Sequence, residues 1–198
     1  TGSFKLRGAT HKISKLSEDN KRNGVVAYSS GNHAQAVAYA SSQKNISAKI
    51  IMPKNAPSIK IKNTREYGAD VILYDTFFED REKIGNEIKE KENRSLIKPY
   101  DDIDIIAGQG TAGIEISEDL DSLEIVPDIY LCCCGGGGLV AGTSTYLNYK
   151  YPNLKSYSVE PKGFDDTKKS LENKKITENQ PNMKSICDAL LAPRPGDI

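Results

Sequence analysis

Short apolar, β-branched runs alternate along the chain with longer stretches whose apolar positions recur every three or four residues. Residues 25–28, Val-Val-Ala-Tyr, have no polar interruption, the pattern of a strand buried on both faces. Turn residues follow at 29–33, and 34–43 is a small-residue stretch that predicts a helix. Residues 49–52 predict a second strand ended by Pro53. A helix is expected over 58–67, with Gly68 at the position where left-handed backbone stops helices. A third strand is predicted at 70–74, a helix with a charged outer face at 78–92, and a short fourth strand at 96–97. Beyond the turn-rich Pro99-Tyr100-Asp101-Asp102, the pattern predicts a helix over 108–119, a strand over 128–134, a glycine loop, a helix over 139–149 and a strand over 155–159. The polar stretch 168–182 reads as a surface loop with some helix.

Strand–helix alternation of this kind predicts an α/β fold with open parallel sheets, which bind ligands at the carboxyl ends of their strands. The break near Pro99 separates two lobes, and residues 24–100 hold four strand–helix units that could form a small sheet of their own. With 198 residues the chain has room for one large domain or two small ones. Acids and bases cancel at 27 each, so charge offers no argument for nucleic acid or an anionic membrane. No apolar run approaches the roughly 20 residues of a membrane helix. Three of the four cysteines, Cys132, Cys133 and Cys134, are adjacent. That spacing suits neither a disulfide framework nor a zinc site, and it is read as small buried hydrophobes in a reducing cytoplasm. The first residue is Thr1 and the last is Ile198, just after a proline-rich turn, and both ends are expected to be cut.

Three segments carry candidate chemistry. In Ser3-Phe4-Lys5-Leu6-Arg7-Gly8-Ala9, Phe4 and Leu6 flank Lys5, and Gly8-Ala9 allow close backbone approach. A lysine in a partly apolar pocket has a depressed pKa and can form a Schiff base. Ser29, Ser30, Gly31, Asn32 and His33 link a strand to a helix, where unpaired backbone N–H groups favour an anion such as a carboxylate. Read alone, that segment is better explained as an N-cap turn, since Ser and Asn are the commonest caps. Gly135, Gly136, Gly137 and Gly138 also link a strand to a helix, and successive N–H groups there can converge on a phosphate. No Lys-Ser/Thr follows them, so they are not a nucleoside-triphosphate P-loop. A lysine nucleophile, an anion cradle and a phosphate cup are together what a phosphorylated aldehyde cofactor and an amino acid would need.

Ser-Phe-Lys-x-Arg-Gly-Ala, Ser-Ser-Gly-Asn-His-Ala-Gln and Gly-Gly-Gly-Gly-Leu, in this order, resemble the fold-type II pyridoxal-phosphate (PLP) enzymes. The resemblance is to the serine/threonine dehydratase, serine racemase and hydroxyaspartate dehydratase branch. It also takes in Ala107-Gly108-Gln109-Gly110-Thr111 and Val159-Glu160-Pro161. It implies the tryptophan synthase beta subunit-like fold, with a large PLP-binding domain from residues 1–23 and 102–198 and a small α/β domain at 24–101. The implied roles are Lys5 as the Schiff-base residue that later takes the α-proton, Phe4 beside the cofactor ring, and Asn32 on its 3-hydroxyl oxygen. Residues 29–33 would hold the substrate carboxylate, and Gly135 to Gly138 with Leu139 the phosphate.

The implied reaction is β-elimination from a hydroxy-amino acid such as L-threonine or L-serine, giving a 2-oxo acid and ammonia. The alternatives are racemisation, with Ser30 as the second base, or hydroxyaspartate dehydration. Outside catalysis, the alternatives are a cofactor-binding fragment without turnover or a nucleotide-binding domain. The segment from Glu160 to Asp166 resembles the divalent-cation site of the racemase-like branch, with Glu160, the Phe164 carbonyl and Asp166 as ligands. Oxygen ligands suit Mg²⁺ or a similar ion; capping of a helix N-terminus explains the acids almost as well. A homodimer at full length is expected, with neither nucleic acid nor membrane as partner.

Overall fold

The computed structural model describes residues 1–181 and 183–198. The chain divides into two compact units, Thr1–Pro99 and Tyr100–Ile198.

The first unit opens with two helices that the hydrophobic pattern did not announce, α1 (Lys5–Ser14) and α2 (Glu18–Asn23). α2 starts where Ser17 accepts a hydrogen bond from the Asn20 N–H, and Gly24, at φ +86°, stops it. The strands β1 (Val25–Tyr28), β2 (Ala48–Pro53), β3 (Asp70–Tyr74) and β4 (Ser95–Leu96) form one parallel sheet in the order β3-β2-β1-β4. Between them run α3 (Asn32–Ser42), α4 (Ser58–Glu66) and α5 (Arg81–Glu92). Val26, Tyr28, Ile51 and Tyr74 make a core on one face of the sheet, with Ile84 and Ile88 of α5 packed on it. The period of two puts Val25, Ala27, Ile50 and Met52 on the other face, where α3 packs. All four β1 residues are buried, as an apolar run in a covered parallel strand requires. α1 in turn buries Gly8, Ala9 and Ile13 and packs on α3.

The second unit contains α6 (Ile103–Ser122), β5 (Ile129–Cys133), α7 (Gly138–Lys150), β6 (Lys155–Val159), α8 (Asp166–Asn173) and a 3₁₀ turn, Asp188–Leu190. β5 and β6 pair in parallel. Leu147, Tyr151 and Leu154 form the core here, against Ile116, Leu120, Tyr130 and Tyr146. The opposite face of this pair shows Ile129, Leu131, Tyr157 and Val159 to solvent. Cys133 shares that outward register and is exposed, while Cys132 and Cys134 are buried. Strand alternation thus overrides the expectation that all three would be buried. All four cysteines are free thiols. No helix among the described residues is long and apolar enough to cross a membrane.

Helix starts differ from the expected ones where an aspartate caps. Asp80 accepts from the Glu82 and Lys83 N–H groups, so α5 begins three residues later than predicted and leaves Phe77 and Phe78 in a turn. Asp102 accepts from Asp104 and Ile105, so α6 starts five residues earlier. The predicted loop at 168–182 begins inside α8, and Asn182 lies outside the described residues.

The two long helices of this unit touch backbone to backbone. A Cβ on Gly142 of α7 would lie 2.2 Å from the Ile106 carbonyl oxygen and 2.7 Å from the Gly110 nitrogen of α6. One on Gly110 would meet the Gly142 oxygen at 2.9 Å. Contacts this short exclude any side chain, so the glycines fix how close α7 lies to α6. Gly142→Val is therefore expected to cost at least about 1–3 kcal/mol through overpacking. Chemical denaturation of wild type and variant under identical conditions checks this, and equal midpoints would show that the helices do not meet there.

Candidate active site

Lys5 opens α1, directly after Phe4, and is partly buried. Its Nζ donates to the Pro99 carbonyl oxygen at 2.6 Å and sits 5.4 Å from the centre of the Phe4 ring. Loss of solvent lowers the amine's pKa from 10.5 to about 8. At that value about a tenth of the amine is free at pH 7, far more than an ordinary lysine keeps in the form a nucleophile or base requires.

The turn after β1 carries the candidate anion cradle. The Gly31 N–H donates to Ser29 Oγ at 3.2 Å, and α3 begins at Asn32 with no side-chain cap. The first amides of that helix therefore lack intrahelical acceptors and face outward with the positive end of the helix dipole. Ser30 and Asn32 are exposed and Ser29 is half-buried. His33 is fully buried, with Nε2 2.9 Å from the Ile97 carbonyl oxygen. A carbonyl only accepts, so Nε2 carries the hydrogen of the neutral ring and Nδ1 keeps its lone pair. Nδ1 is buried and meets no hydrogen-bond partner.

Burial, and then the Lys5 charge, depress the His33 pKa from 6.5 to about 3; the bond to Ile97 opposes this. The structure thus brings the lysine and the cradle turn together through one stretch of chain. Carbonyls of residues 97 and 99, just past β4, receive His33 and Lys5 respectively. The resemblance implies a role for His33 mostly through its backbone N–H. No local spacing signals the imidazole's role, because its partner is 64 residues away.

The glycine tetrad lies in the second unit, between β5 and α7. Gly137 has φ +95°, in the left-handed region, and α7 has no side-chain cap. A Cβ on Gly136 would fall 2.3 Å from the Tyr100 ring, and one on Gly138 would meet the Tyr100 backbone at 3.1 Å. The loop therefore packs flat against Tyr100, a neighbour that local sequence pattern does not reveal. Gly136, Gly137 and Gly138 line a cavity of about 240 Å³ with Ile106 and Ala141. Leu139 is half-buried in the first turn of α7. Uncapped amides on a glycine turn fit a phosphate ester, and the cavity is below the usual 300–1,000 Å³ of a whole-ligand pocket.

Glu160 and Asp166 also lie in this unit. The Glu160 carboxylate accepts from the Thr167 and Lys168 N–H groups at 2.9 and 3.0 Å, so it caps α8 from a distance. Asp166 is 1% exposed. Its Oδ1 accepts from Asn179 Nδ2, and its Oδ2 is buried without a partner. Burial pushes the Asp166 carboxyl up, with Glu160 and Asp165 adding to the rise. Phe164 is buried. Among the described residues no group of three or more His, Cys, Asp or Glu side chains is placed to hold a metal ion. The expected set has two carboxylates and one carbonyl.

The His33 environment makes stability depend on pH. The unfolded ring takes a proton below about 6.5 and the native ring does not, so stability falls as pH drops through that value. The loss between about pH 6.5 and pH 5 is expected to reach about 2 kcal/mol, and His33→Gln should flatten that stretch. Urea unfolding across the range measures it; an unaltered slope in the variant would mean that the buried ring is protonated in the fold.

The whole chain, residues 1–198, matches the family model described as pyridoxal-phosphate dependent enzyme. It is 44% identical over 169 residues to a serine racemase of Schizosaccharomyces pombe, covering 85% of this chain and 51% of that protein. It is 41% identical over 188 residues to an L-threo-3-hydroxyaspartate ammonia-lyase of Saccharomyces cerevisiae, covering 94% and 56%. The solved T.th. threonine deaminase superposes with a TM-score of 0.93 at 37% identity, covering 100% of this chain and 62% of that one. The chain spans about half the length of the curated relatives it matches. With the lysine, cradle and glycine motifs following one another in the family's order, the chain belongs to the pyridoxal-phosphate-dependent enzyme family.

Proposed function

We propose that the complete protein uses PLP to eliminate water from a hydroxy-amino acid such as L-threonine or L-serine, giving a 2-oxo acid and ammonia. The observation that carries this reading is the Lys5 amine, partly buried beside Phe4 and lowered to about 8. Relatives named for elimination, a hydroxyaspartate ammonia-lyase and a threonine deaminase, support it. When bound, the cofactor supplies an electron sink for the α-carbanion.

The chain's own residues would do the rest. Lys5 Nζ carries the cofactor and later takes the α-proton. Phe4 would lie beside the cofactor ring, and Asn32 would donate to its hydroxyl oxygen. Ser29 to His33 hold the substrate carboxylate on the unpaired amides of α3. Gly135 to Gly138 and Leu139 hold the phosphate, whose negative charge matches the dipole of α7. Residues 1–23 and 102–198 would serve as the cofactor-binding domain and 24–101 as the small domain.

A divalent cation such as Mg²⁺ would sit on Glu160, the Phe164 carbonyl and Asp166. The unpartnered Asp166 Oδ2 supports that choice, because a buried carboxylate oxygen is costly unless something satisfies it. Ser30, exposed on the cradle turn, supports a second reading in which it protonates the α-carbon from the other face and racemises serine. The relative named serine racemase favours the same reading. A cytoplasmic homodimer is the setting we infer for the complete protein.

Lys5→Ala in the complete protein is expected to abolish turnover and leave the circular dichroism spectrum unchanged. Borohydride should fix PLP to Lys5 in wild type only. Retained labelling in the variant would place the cofactor on another lysine. Gly136→Asp is expected to weaken PLP binding at least tenfold, since a carboxylate would both clash with Tyr100 and repel the phosphate. Fluorescence titration with PLP reads this, and unchanged affinity would remove the glycine turn from the site. Chiral analysis of the serine left during turnover separates the two reactions: 2-oxo acid without D-serine removes racemisation.

A further inference from the structure

The imidazole of His33 is 2% exposed and has no part in the proposed reaction, yet it is tied to the same short segment as the amine that does. β4 pairs with β1 only through Ser95 and Leu96. The Ile97 N–H adds one bond, to the Val26 carbonyl oxygen at 2.9 Å. Pro99 has no N–H, so its backbone can only accept. Past Ile97 the chain therefore leaves the sheet, and two side chains take its carbonyls. His33 Nε2–H donates to the Ile97 oxygen at 2.9 Å, and Lys5 Nζ donates to the Pro99 oxygen at 2.6 Å. Ile97 is fully buried, where a carbonyl needs a donor, and the imidazole supplies one. The helices that carry the two side chains, α1 and α3, pack on each other.

The other ring nitrogen is the odd one. With Nε2 protonated, Nδ1 holds a lone pair, and it is buried without a hydrogen-bond partner. An acceptor left bare in the interior is costly, so a donor that reaches it gains that energy back. The Lys5 charge helps to hold the ring neutral, which makes the ammonium and the ring neighbours. The ring stays neutral down to about pH 3, far below the range in which Lys5 gives up its proton. His33 is thus an acceptor whenever Lys5 is a free amine. A free amine has two hydrogens and one lone pair. As a base it must turn that lone pair to the proton it takes, which leaves both hydrogens to be held from elsewhere. The Pro99 oxygen is one acceptor for them, and Nδ1 of His33 is available as the second.

We propose that His33 is a positioning residue for Lys5. Its Nε2–H fixes the segment 97–99 that receives the amine, and its Nδ1 accepts the second hydrogen of Lys5 Nζ once the amine is free. The lone pair of Lys5 then points away from both acceptors, toward the α-proton. His33 orients the base and exchanges no proton itself. This inference rests on the reading of Lys5 as the base.

The complete protein tests it with His33→Leu and His33→Gln. Leucine fills the space without a nitrogen, while the glutamine amide keeps a donor for Ile97 and an acceptor for Lys5. His33→Leu is expected to lower kcat about tenfold or more and to leave KM and PLP affinity within about twofold, because a misaimed base costs rate and not binding. The α-deuterium isotope effect on kcat should rise as proton removal becomes the slow step, and His33→Gln should recover most of the rate. Hydrogen exchange of the Ile97 N–H in the PLP-free protein reads the hold without turnover. It should be faster in His33→Leu and close to wild type in His33→Gln. It should also be faster in Lys5→Ala, a comparison that stands even if circular dichroism shows the leucine variant unfolded. Turnover by Lys5→Ala would remove Lys5 as the base and leave the exchange results intact, so the two failures are told apart. Wild-type kcat and isotope effect in His33→Leu, a glutamine variant as slow as the leucine one, or unaltered Ile97 exchange in Lys5→Ala overturns the proposal.

Discussion

The candidate site rests on a constraint of helix geometry: the first amides of an α-helix have no carbonyl behind them. A parallel strand followed by a helix delivers those amides to the carboxyl edge of its sheet. It happens twice here, at Gly31–Asn32 after β1 and at Gly137–Gly138 after β5. At both places the residue before the helix is glycine and no side chain caps the amides. At three other helices the same need is met internally: Ser17, Asp80 and Asp102 cap α2, α5 and α6 with their own oxygens. These two helix starts, each opened by glycine after a parallel strand, are among those best placed to receive a ligand's anionic groups.

A second constraint acts on charge. Lys5 is placed where water is scarce, and burial dominates its shift to about 8. His33 is held neutral by the same desolvation and by the nearby ammonium. Both side chains are tied to the short segment that leaves β4, through the carbonyls of Ile97 and Pro99. Sites that tune an amine in this way give up stability for reactivity. The buried, unpartnered Nδ1 of His33 is one such cost in the first unit, and Asp166 Oδ2 is its counterpart in the second.

Much of the fold was legible because both signals are local. The run Val25–Tyr28, the aliphatic stretches of β2 and β3 and the alternation of β6 reveal strands, and Gly68 marks a helix end. The failures have identifiable causes. α2 was missed because Glu18–Asn23 has no apolar residue, and α1, whose Ala9 and Ile13 share one buried face, because its packing on α3 is tertiary. α5 and α6 shifted because a single aspartate cap outweighs the apolar pattern in setting a boundary. Cys133 turned outward because alternation along β5 decides side, whatever the residue prefers.

By itself the sequence determined the α/β class, the family, and the strand–turn–helix context of the candidate cradle and glycine turn. Each is encoded within a few consecutive residues. Only the tertiary structure decided that Tyr100 packs against Gly136, that Glu160 caps α8, and that His33 is a buried neutral ring bonded to Ile97. It also decided that Lys5 stands partly out of water and that Phe77 and Phe78 stand in it. The physical reason is the same throughout. Desolvation and contact depend on what the rest of the chain brings alongside, across separations such as the 64 residues between His33 and Ile97. No local pattern records that neighbourhood.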